Sequence, residues 1–256
     1  MLNTTKTERR KLRTKANDFL QLMIDAGEKE ILESSEIDKK IYLDDDTIDA
    51  QSLLFLIAGY ETSSTLLSFA IHVLAAKSDI QNKLRTHIKD ITEGKEMSYE
   101  LLAQLDYLEG FLLETLRMYP PLARVDRICT KEYILPGTSI KIEPGNVVAI
   151  PVYGIQMDPD IYPEPNEFIP ERFTEENKKE RPSHLFLAFG AGPRNCIGKR
   201  FAMISAKLAM VALLKKFKFS LCEKSVHPVV FEKKGILLKA ANGLWVHIEN
   251  INQKQD

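Results

Sequence analysis

The stretch FGAGPRNCIGKRFA, residues 189–202, sets one cysteine, Cys196, between a glycine and arginine loop and the start of an apolar helix. Gly190 and Gly192 allow positive φ angles and the close approach of a flat ligand, and Pro193 stiffens the loop. A helix that begins after the cysteine turns its unpaired amides and the positive end of its dipole toward the sulfur, and Arg194 adds a charge beside it. That setting favours a thiolate held for a metal. On a haem iron such a sulfur supplies the electron donation that O–O cleavage needs. Two other readings stand beside this one. A lone cysteine is commonly a buried core residue, which explains neither the glycines nor the arginine. A nucleophilic cysteine needs a base, and none of His72, His87, His184, His227 and His247 lies in a recognisable partner motif.

The rest of the composition narrows the field. With 256 residues, 44% hydrophobic and 28% charged, the chain can bury a sizeable core. A net charge of -1 leaves no basic stripe for nucleic acid and no polybasic segment for anionic lipid. Cys129, Cys196 and Cys222 lie far apart with no CxxC spacing, which excludes a disulfide framework and a cysteine-rich zinc site. The longest apolar runs, such as LLFLIA at 53–58, fall short of a bilayer span, and MLNTTKTERRKLRTK has no apolar signal core. No anchor is expected within the chain.

Hydrophobic spacing predicts a helix over roughly 8–26 that stops at Gly27, then a polar stretch, EKEILESSEIDKKIYLDDD. From Asp46 to Ala76 the apolar positions run nearly unbroken, which describes a central helix packed all round. Further helices are predicted over 79–91, from 98 and over 107–119, the last ending at Pro120 and Pro121. KEYILPGTSIKIEPGNVVAIPVYGI, with PG at 136 and 144, reads as short strands and turns. DPDIYPEPNEFIPERF, carrying Pro159, Pro163, Pro165 and Pro170, reads as an ordered extended meander. After the cysteine loop come a long helix and, in FKFSLC and ILLKAANGLWVHIEN, a closing pair of strands around Asn242 and Gly243.

Two more constellations carry chemistry. AGYETSS, residues 58–64, places Gly59 inside a helix at a cost of about 1 kcal/mol relative to alanine, with Glu61 and Thr62 on an otherwise apolar face. Thr62 can bond back to the carbonyl of Ala58 and open a groove for O2, with Glu61 as a proton relay; equally, Gly59 can serve close helix packing. ETLR sets Glu114 and Arg117 three apart on one helix face, with Arg172 of PERF as a third member. Exposed, such a pair is worth only about 0.2–0.5 kcal/mol; between Leu112, Leu113 and Leu116 it can be buried, with Arg172 locking the meander to the helix.

AGYET at 58–62, ETLR at 114–117, PERF at 170–173 and FGAGPRNCIG at 189–198 stand in the order found in the cytochrome P-450 superfamily, and the chain resembles the C-terminal half of such a haem-thiolate monooxygenase, close to animal microsomal members that oxidise xenobiotics. The resemblance implies a mainly α fold with small β-sheets, residues 1–256 forming a single partial domain. It implies Cys196 as the axial haem ligand, Phe189 beneath it, Gly190, Gly192, Gly198 and Ala58 against the cofactor, and Arg194 and Arg127 on the haem propionates. Glu61 and Thr62 match the family's acid and alcohol pair for oxygen activation. Glu114, Arg117 and Arg172 match its structural triad; Leu122, Ala123 and the segment near Asn242 and Gly243 match positions bordering the substrate cavity.

The reaction so implied inserts one oxygen of O2 into a small lipophilic substrate. Electrons come from NADPH-cytochrome P-450 reductase, with cytochrome b5 as a second donor, on the cytosolic face of the endoplasmic reticulum membrane. Lys199 and Arg200 are candidates for docking an acidic partner. Family members are about twice this length, so the anchor, the substrate lid and the other wall of the cofactor pocket are expected outside residues 1–256. The alternative is a truncated, inactive fragment that binds haem or a partner only.

Overall fold

The computed structural model describes residues 2–12, 16–33, 43–179 and 181–251. Parts of the first predicted helix and most of the polar stretch after it lie outside these. The chain divides into two compact units, Met1–Glu61 and Thr62–Asp256.

In the first unit the single helix expected over 8–26 is two, α1 (Leu2–Leu12) and α2 (Phe19–Glu33). Asp18 explains the start of the second. Its carboxylate accepts the Gln21 amide at 2.9 Å, as a helix cap does. It also takes both Arg9 guanidinium nitrogens at 2.7 Å. The Arg9 bonds, then the Gln21 amide, hold this carboxyl down at about 2. Gly27 does not stop α2. It lies within the helix, and a Cβ there would sit 2.9 Å from the Leu43 carbonyl oxygen, so it is a close-approach glycine. Lys6, though a lysine, is buried; its ammonium reaches Asp49 at 2.8 Å and the Asp45 carbonyl at 3.1 Å.

Helix α3 runs unbroken over Asp45–Ala76, as the sequence predicts, and Asp44 receives the Thr47 amide at its start. It is not packed all round. Leu53, Leu54, Phe55, Leu56, Ile57 and Tyr60 are exposed, although the Phe55 ring stacks on Phe19 at 3.9 Å. Length and composition alone would let α3 cross a membrane, against the expectation of no such segment. Its second half, however, is a core helix: Leu66, Phe69, Ala70, Val73 and Leu74 are buried.

The second unit continues with α4 (Ser78–Thr92), α5 (Tyr99–Ala103) and α6 (Asp106–Met118). α6 ends where Tyr119 caps back to Thr115 and the two prolines follow. β1 (Val125–Ile128) pairs antiparallel with β4 (Val147–Ile150), Val125 opposite Ile150, and β2 (Tyr133–Ile134) with β3 (Lys141–Ile142). VYGI, expected as strand, instead forms the short helix α7 (Val152–Gln156), started from the Pro151 carbonyl. The proline meander leads through a tight turn over Pro170–Phe173 to α8 (Glu175–Lys178). Then come α9 (Lys199–Leu214), β5 (Phe217–Ser220) and β6 (His247–Asn250), the last two paired antiparallel. The strands thus pair across a long connection. Asn242 and Gly243 turn the chain before β6, next to an isolated bridge between Phe231 and Ala240. One apolar core joins α3, α4, α6 and α9 through Leu74, Leu84, Leu112, Met210 and Leu214.

Candidate haem-thiolate site

The loop before α9 is shaped by its own backbone. The Gly190 amide donates to the Leu187 carbonyl at 2.8 Å, the Asn195 amide to Gly192 at 3.0 Å, and the Cys196 amide to Phe189 at 2.7 Å. This fold-back requires φ of +68° at Gly190 and +76° at Gly192, values that side chains bearing a Cβ rarely adopt. Phe189 packs half-buried on the core, with the Lys199 ammonium 5.7 Å from its ring centre. Cys196 is thereby presented at the surface as a free thiol. A Cβ on Gly198 would lie 3.9 Å from its sulfur, so the glycine keeps that side low.

The residues flanking the thiol in sequence are outward, apolar Ile197 and Phe201 alternating with Asn195, Lys199 and Arg200. Ile197 is 86% exposed and Phe201 72%. An exposed sulfur donor on a glycine-lined loop, with exposed apolar and cationic side chains beside it, fits a flat, metal-bearing ring that also carries anionic groups. Arg194 stands exposed in the tight turn Gly192–Arg194. Arg127 is exposed on β1 and bonds the Asp126 carbonyl at 2.8 Å. Leu122 is exposed and bridged to Leu237, while the Ala123 carbonyl holds the Tyr153 amide at 2.9 Å. Of the helical constellation, Ala58 and Glu61 belong to the first unit and Thr62 opens the second. Ala58 is exposed; Glu61 and Thr62 are half-buried.

In the same unit, the structure gathers Glu114, Arg117 and Arg172 into one buried cluster. Arg117 grips Glu114 with two nitrogens at 2.7 and 2.9 Å, and Arg172 reaches the same carboxylate at 3.3 Å. The Ile169 amide adds a fourth donor at 2.9 Å. Further guanidinium bonds go to carbonyls, Arg117 to Gln156, Pro165 and Glu167 and Arg172 to Glu164, and Arg117 also reaches the Met157 sulfur at 3.4 Å. Each charge is thus both paired and hydrogen-bonded, which is what buried ions require. Gly110 lets the meander come this near: a Cβ there would lie 2.7 Å from the Pro170 carbonyl oxygen.

Sequence reasoning missed three polar residues that serve the same frame. Gln156 is fully buried; its amide nitrogen donates to the Leu116 and Arg117 carbonyls at 3.1 and 2.9 Å, and its oxygen accepts the Leu187 amide at 2.9 Å. Lys207, on the apolar helix α9, bonds Glu109 at 2.7 Å and the Leu102 carbonyl at 3.1 Å. Gln81 ties α4 to both backbone groups of Phe219. The available signal was a polar side chain at an apolar-face position. His72 is different. It is buried, neither ring nitrogen has a partner among the described residues, and its ring lies 5.6 Å from that of His227. Burial first, then His227, pushes its pKa down.

The sequence model of the cytochrome P-450 family matches residues 1–246. The chain belongs to the cytochrome P-450 family. It is 41% identical over 243 residues to probable cytochrome P-450 6a14 of Drosophila melanogaster, covering 93% of this chain and 48% of that one. Cytochrome P-450 3A6 of Oryctolagus cuniculus is 43% identical over 221 residues, 86% of this chain and 43% of that one. Cytochrome P-450 9e2 of Blattella germanica is 41% identical over 241 residues, 91% and 45%. The chain therefore spans about half the length of the curated relatives it matches. Haem with an axial thiolate is the cofactor of P-450 proteins, and the mainly α architecture with small antiparallel sheets is that of the family.

Proposed function

We propose that the chain is the C-terminal, haem-ligating part of a P-450 monooxygenase that inserts one oxygen of O2 into a small lipophilic substrate. The single observation that supports this most is the surface-presented Cys196 thiol on its positive-φ glycine loop. Cys196 Sγ would hold the iron as an anionic donor, with Phe189 backing the loop and Gly190, Gly192 and Gly198 admitting the ring. Arg194 and Arg127 would pair with the propionates, their charges being free to reach outward from exposed positions. When bound, the haem supplies O2 binding and the oxidising capacity for insertion into a C–H bond or π system.

Glu61 and Thr62 would hold and pass the protons this chemistry consumes, at the carboxylate and at Oγ1. Ala58 would line the cofactor, and Leu122 and Ala123 the substrate. Glu114, Arg117 and Arg172 would act structurally, fixing the meander that leads into the cysteine loop. The chain would be one partial domain of a longer protein on the cytosolic face of the endoplasmic reticulum, fed from NADPH by a flavoprotein reductase, with cytochrome b5 as a second donor. Lys199 and Arg200 would contribute to docking; Arg200 already bonds the Tyr99 hydroxyl at 2.6 Å. Xenobiotic oxidation is the substrate class favoured by the sequence resemblance.

A second reading is that the chain alone binds haem or a partner without turnover. The exposed apolar face of α3 from Leu53 to Tyr60 favours it, because a catalytic cavity needs that surface covered. Haem titration of the 256-residue chain, followed by reduction under CO, tests the proposal. A red-shifted Soret band lost in Cys196→Ser supports ligation; a band unchanged by the substitution overturns it. NADPH-dependent substrate oxidation with added reductase separates the two readings.

A further inference from the structure

His72 is a buried titratable group that the proposed chemistry leaves unused. It stands on the core half of α3 with no exposed surface, and neither ring nitrogen has a partner among the described residues. Buried polar groups normally find one. The ring that meets it is that of His227, 5.6 Å away and tilted by 44°. His227 is exposed, on the segment 221–246 that joins β5 to β6.

Few charges face His72. Between Thr62 and Ala76 α3 carries no second titratable side chain. Lys77, just past its end, is turned to Glu167 at 3.7 Å. α4 meets this stretch through the neutral Gln81, which donates to the Leu74 carbonyl at 3.0 Å, and α6 presents the Tyr119 ring, stacked on Phe69. On the segment itself, Lys224 is turned to the Trp245 ring at 5.1 Å. Among the described residues the group that acts electrostatically on His72 is His227, a like charge when both are protonated. A proton on the buried ring would meet no carboxylate.

The same segment reaches the core and the Leu122 region. Phe231 is in ring contact with Phe69, Tyr119 and Tyr153 at 6.4, 6.1 and 5.8 Å. The Leu238 amide donates to the Pro121 carbonyl at 2.9 Å, and Leu237 bridges Leu122.

We propose that His72 and His227 form a pH-sensitive latch: the segment stays closed on α3 while His72 is neutral, and opens beside Leu122 when His72 takes up a proton. In the open form the imidazole meets water and regains its ordinary value near 6.5. Opening therefore takes up a proton, so the closed form dominates above that pH and loses ground as the pH falls below it. The consequence for substrate rests on the placement of Leu122 at the cavity proposed above; the latch itself does not.

Amide hydrogen exchange of the full chain without haem tests the latch. The reporters are the amides of Leu238, Glu232 and Ala241, which donate to the Pro121, Lys239 and Val230 carbonyls at 2.9, 2.9 and 2.8 Å. Between pH 7.5 and 5.5 their protection should fall about tenfold, the factor for one proton bound at an ordinary histidine value. Amides of α6 should stay better protected at both pH values. His72→Leu should remove the fall, as should His72→Phe, which keeps a ring in the same space; circular dichroism verifies that each is folded. No fall in the wild type, a fall of the same size in the folded variants, or segment amides protected as well as those of α6 overturns the proposal. A fall lost in the variants, in a chain that shows no red-shifted Soret band after haem titration, supports the latch and overturns only the proposed function.

Discussion

The Glu114 cluster and the Cys196 loop are close in sequence role but opposite in physics. The cluster turns its polar groups inward: one buried carboxylate meets two buried guanidiniums, which also bond a set of backbone carbonyls. The loop satisfies its backbone and turns its sulfur outward among exposed apolar and charged neighbours. The first arrangement is what holds a scaffold, the second what receives a ligand. A residue's burial and the number of its internal partners thus separate structural from ligand-facing charge more sharply than residue type does. His72 stands between them, buried like the cluster yet without a hydrogen-bond partner among the described residues.

This contrast can be broken by measurement. Glu114→Gln should be the most damaging change, since it leaves two buried guanidiniums facing a neutral amide; a loss of about 3–5 kcal/mol in denaturant unfolding is expected. A loss under about 1 kcal/mol would mean the cluster behaves as a surface ion pair. Gly110→Ala drives a methyl against the Pro170 carbonyl and should lose about 1–3 kcal/mol, read as a lowered Tm.

A smaller effect is expected from pH. His72 and His87 both have pKa values pushed below the ordinary 6.5, chiefly by burial. The unfolded chain therefore takes up protons first, so stability is full above about pH 6.5 and falls as the pH drops below it. His72→Leu should flatten that slope in part, His87 retaining the rest, as unfolding midpoints between pH 7 and 5 would show. The smallest change in stability, within about 0.5 kcal/mol, is expected for the exposed Cys196→Ser, although it should abolish the thiolate signature of the haem complex. A large stability loss there would move Cys196 to the scaffold class.

Much of this was legible from residue order. α4, α6 and α9 are amphipathic helices with clear stops, and their apolar spacing places them in the core. The glycines at 190 and 192 announced a loop that no other residue tolerates well. What misled was tertiary. A Gly at 27 looks like a helix stop until Leu43, distant in the chain, arrives beside it. VYGI has strand composition, yet a proline-started turn took it into α7. FKFSLC and ILLKAANGLWVHIEN do supply the closing pair, β5 with β6, but the two strands meet across a long connection and Asn242 and Gly243 do not form the turn between them. The exposed half of α3 could not be read from its apolar pattern, because composition says a face wants cover and not where the cover lies. The roles of Gln156 and Lys207 were hidden for the same reason: their position on an apolar face was visible, but their partners are far along the chain.

Gln156 has a mechanical corollary. Its one side-chain amide clamps the last carbonyls of α6 on one side and the Leu187 amide on the other, two residues ahead of Phe189. The path from helix to sulfur therefore contains a side-chain strut in addition to the ties of the Glu114 cluster. Hydrogen exchange at the Leu187 amide should be as slow as in the helix itself, and shortening the strut with Gln156→Asn should let that amide exchange faster while α4 keeps its protection.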